Sequence, residues 1–328
     1  MHKQFKEFIN QIVIGQPVRD LAMTVVPLFI NEESQPAYLT LGQALNEGLV
    51  TISEVSRGGS VPNLTVENRA DIPVIMLDGE EMVGAKQNRV VNTTILLEPN
   101  STTVIPVSCT EQGRWSYRSP EFADSQTVMS PSIRHHKVRS VSHSLLMKMG
   151  HRSDQGRVWE EIDALSARAG ARSATGAMRD VHEHLARKIE DQCQAFQLKD
   201  GQNGLFVVIG QRVVGFDILS RHESFARLYP KILRSYAADA VLDKNAQPGG
   251  NFTDMTRTFF ETCTGASESR HKAVGLGVDC RFVGESVVGS ALLVDPAVVH
   301  MAFFHSEAED RSEPMLPSRV RSNFRRQR

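Results

Sequence analysis

Cysteine is scarce in this chain: four residues in 328, at positions 109, 193, 263 and 280. No pair has CxxC spacing, and no histidine follows at zinc-finger intervals. A disulfide-stapled secreted domain is smaller and richer in cysteine, so reduced thiols are expected. Aromatic residues make up only 6%, too few for a base-stacking platform of many rings. There is no excess of charge. Lys and Arg number 37, Asp and Glu 38, and the net charge is -1, which excludes a generally basic nucleic-acid coat and a generally acidic tail protein. Long apolar runs are also missing. None approaches the roughly 18 residues of a membrane span, and the first fifteen residues lack the continuous apolar stretch of a signal peptide. These absences point to a cytoplasmic protein with no membrane partner, and nucleic acid is not indicated. A homo-oligomer is left open.

With 41% hydrophobic and 23% charged residues, a sizeable buried core is expected and global disorder is not. Phe5, Phe8, Ile9, Ile12 and Val13 follow helical spacing and predict an amphipathic helix ending near Gly15. A strand is expected over 22–30 and a short helix over 41–47. From Leu49 to Cys109, short Val-, Ile- and Thr-rich segments alternate with turn signals. Asp78-Gly79 is the strongest hairpin signal among them, and Glu98 to Ser101 reads as a second turn. Residues 125–153 contain five Lys or Arg, four His and no acid. That composition suits either a mobile basic loop or a helix lying over an anionic ligand. Met178, Val181, Leu185, Ile189, Cys193 and Phe196 form one buried helical stripe. A hairpin is expected at 205–219, a helix at about 223–242, a loop at 247–251, a short helix at 253–262, and strands at 272–283 and 286–304.

The predicted fold is α+β: a single interleaved domain over 1–304, with a mostly antiparallel β core built from hairpins and helices packed over it. Its parts are a β-rich stretch 20–115, a basic loop 116–156, a helical stretch 157–198 and a β/α/β stretch 205–304. Each β segment alone has too few strands for a stable core. A disordered polar tail is expected at 305–328. The pattern G-x-x-h-V-G, with h apolar, occurs at 79–84, 210–215 and 284–289. Each copy reads as the turn and return strand of a hairpin, by convergence or as a repeated β unit.

The densest polar cluster runs from Asp78 to Arg89. Asp78, Glu80 and Glu81 sit at a turn, and Gly84-Ala85 precede Lys86, Gln87, Asn88 and Arg89. Four consecutive polar residues break strand alternation. Small residues admit a ligand to the backbone. Lys86 and Arg89 can neutralise a phosphate or carboxylate, and Gln87 and Asn88 carry both donors and acceptors. The bland alternative is a wet edge strand. A second cluster, Cys109 to Trp115, follows an apolar strand. Glu111 suits a general base or metal ligand, Arg114 an anion, and Trp115 a ring or the core. Gln112 belongs to the same cluster. Cys109 reads as a buried small hydrophobe rather than a nucleophile. His182 and His184 are two apart on a helix and do not share a face, so they are not a zinc pair. His135-His136 reads as a solvated pair, Asp154 as a helix cap. No Walker or Rossmann glycine pattern is present.

The segments LDGEEMVGAKQNRVVN, IPVSCTEQGRWSYRS, SDQGRVWEEI, ATGAM and FVVIGQRVVGFDIL together resemble the ARG and rhodanese-phosphatase-superfamily-associated protein domain family, over roughly residues 20–304. The resemblance implies, by genomic context, a role near NAD or ADP-ribose metabolism. It supplies no catalytic residue. The site expected on physical grounds has Glu80, Glu81 and Glu111 as acid–base groups, with Lys86, Gln87, Asn88, Arg89, Gln112, Arg114 and Trp115 holding an anionic nucleotide-like ligand. If a metal takes part, one Mg²⁺ would sit on Asp78, Glu80 and Glu81. Three readings follow. The first is an enzyme, leaning to hydrolysis, that acts on a phosphorylated nucleotide-like ligand. The second is a non-catalytic ADP-ribose- or nucleotide-binding regulatory module, and the third a protein-interaction domain.

Overall fold

The structure is a computed structural model describing residues 1–30, 36–56, 58–243 and 249–306. The tail beyond Ser306 and residues 247 and 248 of the expected 247–251 loop lie outside the described residues. The first helix, α1 (Lys3–Gln11), buries Phe5 and Ile9. It stops at Gln11 rather than near Gly15, because Val13–Ile14 (β1) is extended and pairs with Phe29 and Leu28. Val18–Asp20 (β2) and Met23–Phe29 (β3) follow.

The β-rich stretch divides into two small sheets. Leu39–Thr40 (β4) leads into α2 (Leu41–Asn46), which opens on a capping box between Thr40 and Gln43. Then come β5 (Val50–Glu54), β6 (Asn63–Asn68), β7 (Val74–Met76), β8 (Glu80–Gly84), β9 (Arg89–Val91), β10 (Ile95–Leu97), β11 (Ser101–Cys109) and β12 (Phe122–Val128). One sheet has the order β10-β7-β4, the other β12-β8-β9-β11-β6-β5. Asp78-Gly79 is therefore not a hairpin turn: β7 and β8 belong to different sheets. Gly79 has φ 81°, and a Cβ there would lie 3.0 Å from the Arg134 side chain. The glycine passes the chain between sheets beneath an arginine.

Residues 116–156 are not a basic loop. They contain β12 and a 16-residue helix, α3 (Pro131–Leu146), which buries Arg134 and Lys137 along with Ile133, Val138 and Val141. Helix α4 (Gln155–Ala169) is capped by Asp154, whose side chain accepts from the Arg157 N–H at 3.2 Å. It ends at Gly170 in the left-handed region, φ 65°. Helix α5 (Met178–Cys193) buries Met178, Val181, Leu185 and Ile189 as the stripe predicts.

The rest of the chain completes a nine-stranded antiparallel sheet. To β1, β2 and β3 it adds β13 (Gln202–Ile209), β14 (Arg212–Leu219), β15 (Ser267–Lys272), β16 (Val278–Val283), β17 (Val287–Val294) and β18 (Ala297–His305). The order is β1-β3-β13-β14-β18-β17-β16-β15, with β2 on β3. The expected 286–304 strand is two strands meeting at Asp295-Pro296. The second and third G-x-x-h-V-G copies turn β13–β14 and β16–β17 hairpins; the first does not. Two helices connect these strands, α6 (His222–Ala240) and α7 (Phe252–Thr264).

Strand side chains alternate between faces, and both faces of this sheet are covered. Phe206, Val208, Phe216 and Ile218 pack with Phe5 and Ile9 of α1 and Phe259 and Phe260 of α7. Leu205, Val207 and Leu219 pack on the other face with α3 to α6. Burial on both sides explains why runs such as LFVVI and AVVHMAFF carry so few polar residues. A third core, with Leu41, Ile52, Leu64, Val74, Ile95 and Ile105, lies between the small sheets and α2. The fold is α+β, mostly antiparallel. Among the described residues no helix is long and apolar enough to cross a membrane.

Candidate functional site

The 85–88 bend between β8 and β9 is buried, not a wet edge. Lys86 is 9% exposed and Arg89 0%. Ala85 has φ 35° and Gly84 φ 129°. A Cβ on Gly84 would come within 2.6 Å of the Glu121 carbonyl. The small residues thus admit the protein's own segment 114–122 to the backbone: Arg114 Nη1 donates to the Ala85 carbonyl at 2.7 Å, and the Ala85 N–H to Ser119 Oγ at 3.1 Å. This joins the two sequence clusters. Asn88 donates its N–H to Glu111 Oε2 at 3.3 Å, and its side-chain oxygen accepts from Arg114 at 3.2 Å. Lys86 Nζ lies 5.2 Å from the ring centres of both Trp115 and Tyr117. It also donates to the Gly58 carbonyl at 2.6 Å.

Arg89 sits beneath Trp115, its guanidinium 5.7 Å from the ring centre. Nη1 donates to the Gln87 side chain at 3.2 Å. Among the described residues Nε and Nη2 have no hydrogen-bond partner, and Glu54 Oε1 is 3.9 Å from Nη2. Burial lowers the Arg89 pKa from its ordinary value. A buried guanidinium with unmatched N–H groups is an unusual arrangement, since such groups are almost always paired.

Two carboxylates nearby have opposite environments. Glu81 is fully buried on β8. Burial raises its pKa to about 7, against the hydrogen bonds from Thr110 and Ser125. Thr110 Oγ1 donates to Oε1 at 2.7 Å, while Oε2 has no hydrogen-bond partner among the described residues. Glu111 follows Thr110 in the chain. Burial pushes it up as well, but Arg114 and Thr175 outweigh this and hold it below the usual carboxylate range. Arg114 reaches it at 2.7 Å, and Thr175 donates to Oε1 at 2.9 Å. The Glu111 charge acts on both Glu81 and Arg89. Cys109, buried beside Arg89, has its thiol pushed by burial up to about 11, and is not primed as a nucleophile.

Other expected site residues are placed elsewhere. Successive strand residues face opposite ways, so Glu80 points away from Glu81. Lys231 of α6 lies 2.5 Å from Glu80 and 2.7 Å from Asp124. Burial would lower the Lys231 pKa, but these two carboxylates raise it. Asp78 pairs with Lys137 and lies 3.5 Å from Arg134 Nε. Asp78, Glu80 and Glu81 therefore do not converge. Among the described residues no group of three or more His, Cys, Asp or Glu could hold a metal, and these three do not fit the Mg²⁺ expected for them. Arg114 is not free for an anion, because it also donates to the Gly84 and Ser116 carbonyls. Gln112 is exposed and Trp115 47% exposed.

Sequence reasoning missed a buried ionic network beneath α3. Arg134 donates to both oxygens of Asp217 at 2.8 and 3.1 Å. Tyr236 donates to Asp217 at 2.8 Å, and His300 Nε2 lies 3.2 Å from it. His300 Nδ1 is 2.8 Å from Thr94 Oγ1. Lys137 also reaches the Val91 and Asn92 carbonyls. The anions under the basic helix are the protein's own Asp78 and Asp217. One polar residue inside an apolar strand was the available signal: Asp217 in VVGFDIL and His300 in VVHMAFF.

No curated protein and no solved structure matches the chain. A family model does, over residues 11–304. That span takes in β8, the Glu111 segment, α3 and nearly all of the nine-stranded sheet. The chain belongs to the ARG and Rhodanese-Phosphatase-superfamily-associated Protein domain family.

Proposed function

We propose that the Glu81–Glu111 locus is the catalytic centre of a hydrolase or transferase acting on a phosphorylated, nucleotide-like ligand of the ADP-ribose type. The observation that carries this reading is the opposed state of two neighbouring carboxylates: Glu81 raised to about 7 and Glu111 held ionised by Arg114 and Thr175. Pairs of titratable groups pushed apart in pKa divide acid and base roles between them. In hydrolysis Glu111 takes the proton of the attacking water, and Glu81 gives its proton to the leaving oxygen or nitrogen. Arg89, whose Nε and Nη2 have no hydrogen-bond partner among the described residues, and Lys86 receive the ligand's phosphate. Trp115 and Tyr117, both about half exposed, roof this cation pair and must swing aside to admit it. The family name links the chain to ARG and rhodanese-phosphatase proteins and supports a nucleotide-like substrate.

A non-catalytic binding module is the second reading. It is favoured by the full hydrogen bonding of Arg114 and by the Glu80–Lys231 pair, which removes one expected acid. Turnover separates the two. The chain is incubated with ADP-ribose and with NAD, and products are followed by chromatography. Glu81→Gln and Glu111→Gln are each expected to abolish turnover and leave ligand affinity within about threefold, because Gln keeps the shape and loses the proton chemistry. Wild-type rates in both variants would remove the carboxylate mechanism. Saturable binding with no turnover in the wild type would establish the binding module.

A further inference from the structure

Beside Arg89 lies a carboxylate that the Glu81–Glu111 pair does not use. Glu54 is the last residue of β5, and its side chain is 3% exposed. Oε2 accepts the Ser60 N–H at 3.5 Å. Oε1 has no hydrogen-bond partner among the described residues and lies 3.9 Å from Arg89 Nη2, too far for a hydrogen bond. On the arginine, Nη1 donates to the Gln87 side chain at 3.2 Å and to the Asn88 carbonyl at 3.4 Å. Nε and Nη2, which share one edge of the planar guanidinium, are the nitrogens left unmatched among the described residues. Two donors and one acceptor are thus orphaned together in the interior, where such atoms are almost always paired.

Residues 58–60 close over this spot. Gly59 has φ 75°, and a Cβ there would lie 3.1 Å from the Lys86 side chain and 3.3 Å from both Glu54 Oε2 and the Trp115 ring. Lys86 Nζ donates to the Gly58 carbonyl at 2.6 Å. Glu54, Lys86 and Trp115 therefore surround one short piece of backbone, with Arg89 beneath the Trp115 ring. The two cations alone suit any phosphate. Glu54 narrows the choice. A phosphate oxygen brought to Nη2 also approaches Oε1, and two anionic oxygens in contact repel. A hydroxyl group removes the conflict: its oxygen accepts from Nη2 and its hydrogen is donated to Oε1. Bonds of about 2.9 and 2.7 Å meeting at that oxygen span the 3.9 Å between the two atoms.

We propose that Glu54 is a specificity-determining residue, which selects a phosphate ester carrying a hydroxyl group close to the phosphate: a sugar phosphate or polyol phosphate. This inference rests on the reading of Lys86 and Arg89 as the phosphate receptors. Lys86 and Arg89 Nε hold the phosphate, and the hydroxyl bridges Arg89 Nη2 and Glu54 Oε1. An ester without the hydroxyl leaves Oε1 facing the phosphate.

The test is titration calorimetry on the full chain with ribose 5-phosphate, glycerol 3-phosphate and propyl phosphate. Propyl phosphate is glycerol 3-phosphate without its hydroxyl groups. The two hydroxylated esters are expected to bind about tenfold tighter than propyl phosphate, the gain from one hydrogen bond to a charged group. Glu54→Gln keeps the size of the side chain and removes its charge. It is expected to cut that preference below about threefold and to bind propyl phosphate tighter than wild type does. Lys86→Ala is expected to weaken all three esters about tenfold. A wild-type melting temperature verifies the folding of each variant, and the comparison of glycerol 3-phosphate with propyl phosphate needs no variant. Propyl phosphate binding as tightly as glycerol 3-phosphate, or a preference kept in Glu54→Gln, would overturn the role of Glu54; Lys86-dependent binding of all three would then still support the phosphate locus. No saturable binding of any ester up to about 10 mM would overturn both.

Discussion

Glu81 keeps a proton that water would strip from it. Its pKa rises from 4.5 to about 7 in the folded protein, so the unfolded chain releases that proton first. Between these two values the folded state binds more protons, and stability falls as pH rises. The linked cost reaches up to about 3 kcal/mol above pH 7. Glu81→Gln removes it. Urea unfolding from pH 4.5 to 8 is expected to show the variant matching wild type at the acid end and exceeding it at pH 8. A variant less stable at pH 8 would mean that the ionised carboxylate is the favoured form. Gly79 makes a second prediction at this scale. Its φ is 81°, and a Cβ added there would meet Arg134 atoms at 3.0 Å. Gly79→Ala is therefore expected to lose about 1–3 kcal/mol in the same assay.

At the scale of the element, α3 decides how the two halves of the chain meet. Arg134 and Lys137, one turn apart, pair with Asp217 of the large sheet and with Asp78 of the β7–β8 connection. Removing one partner of a buried ion pair strands the other and typically costs about 3–5 kcal/mol. Arg134→Met is expected to destabilise by that much in urea, and more than Arg139→Met at a half-buried position of the same helix. The sequence showed the charges of this segment but not its direction of facing. Its basic residues are spaced for a helix, yet their carboxylate partners lie about 60 and 80 residues away, beyond any local pattern. The α5 stripe, by contrast, was readable because Val181, Leu185 and Ile189 repeat with the helix itself. The same difference governs the site. The Lys86–Arg89 and Glu111–Trp115 clusters stood out as breaks in alternation. That Glu80 and Glu81 face opposite ways needed only strand alternation, but that Lys231 of α6 meets one and Thr110 the other needed the fold.

For the whole molecule, contacts of long sequence range tie the small sheets to the large one. Thr93 donates to Asp279 at 2.8 Å, Thr94 meets His300, and Lys231 holds Glu80. Strands from both ends of the chain share the nine-stranded sheet. Calorimetric unfolding is therefore expected to give one cooperative transition, and a fragment ending near residue 155 is expected not to fold, since it would expose the β3 edge and the lower face of α3. Two separable transitions would contradict an interleaved core. The functional account rests on a narrower point, the protonation of Glu81 beside an ionised Glu111. Site-resolved carboxyl titration by ¹³C NMR, with Glu81→Gln supplying the assignment, measures it directly. The account predicts a Glu81 midpoint near 7 while Glu111 titrates below 4.5; a Glu81 midpoint at or below 4.5 would contradict it.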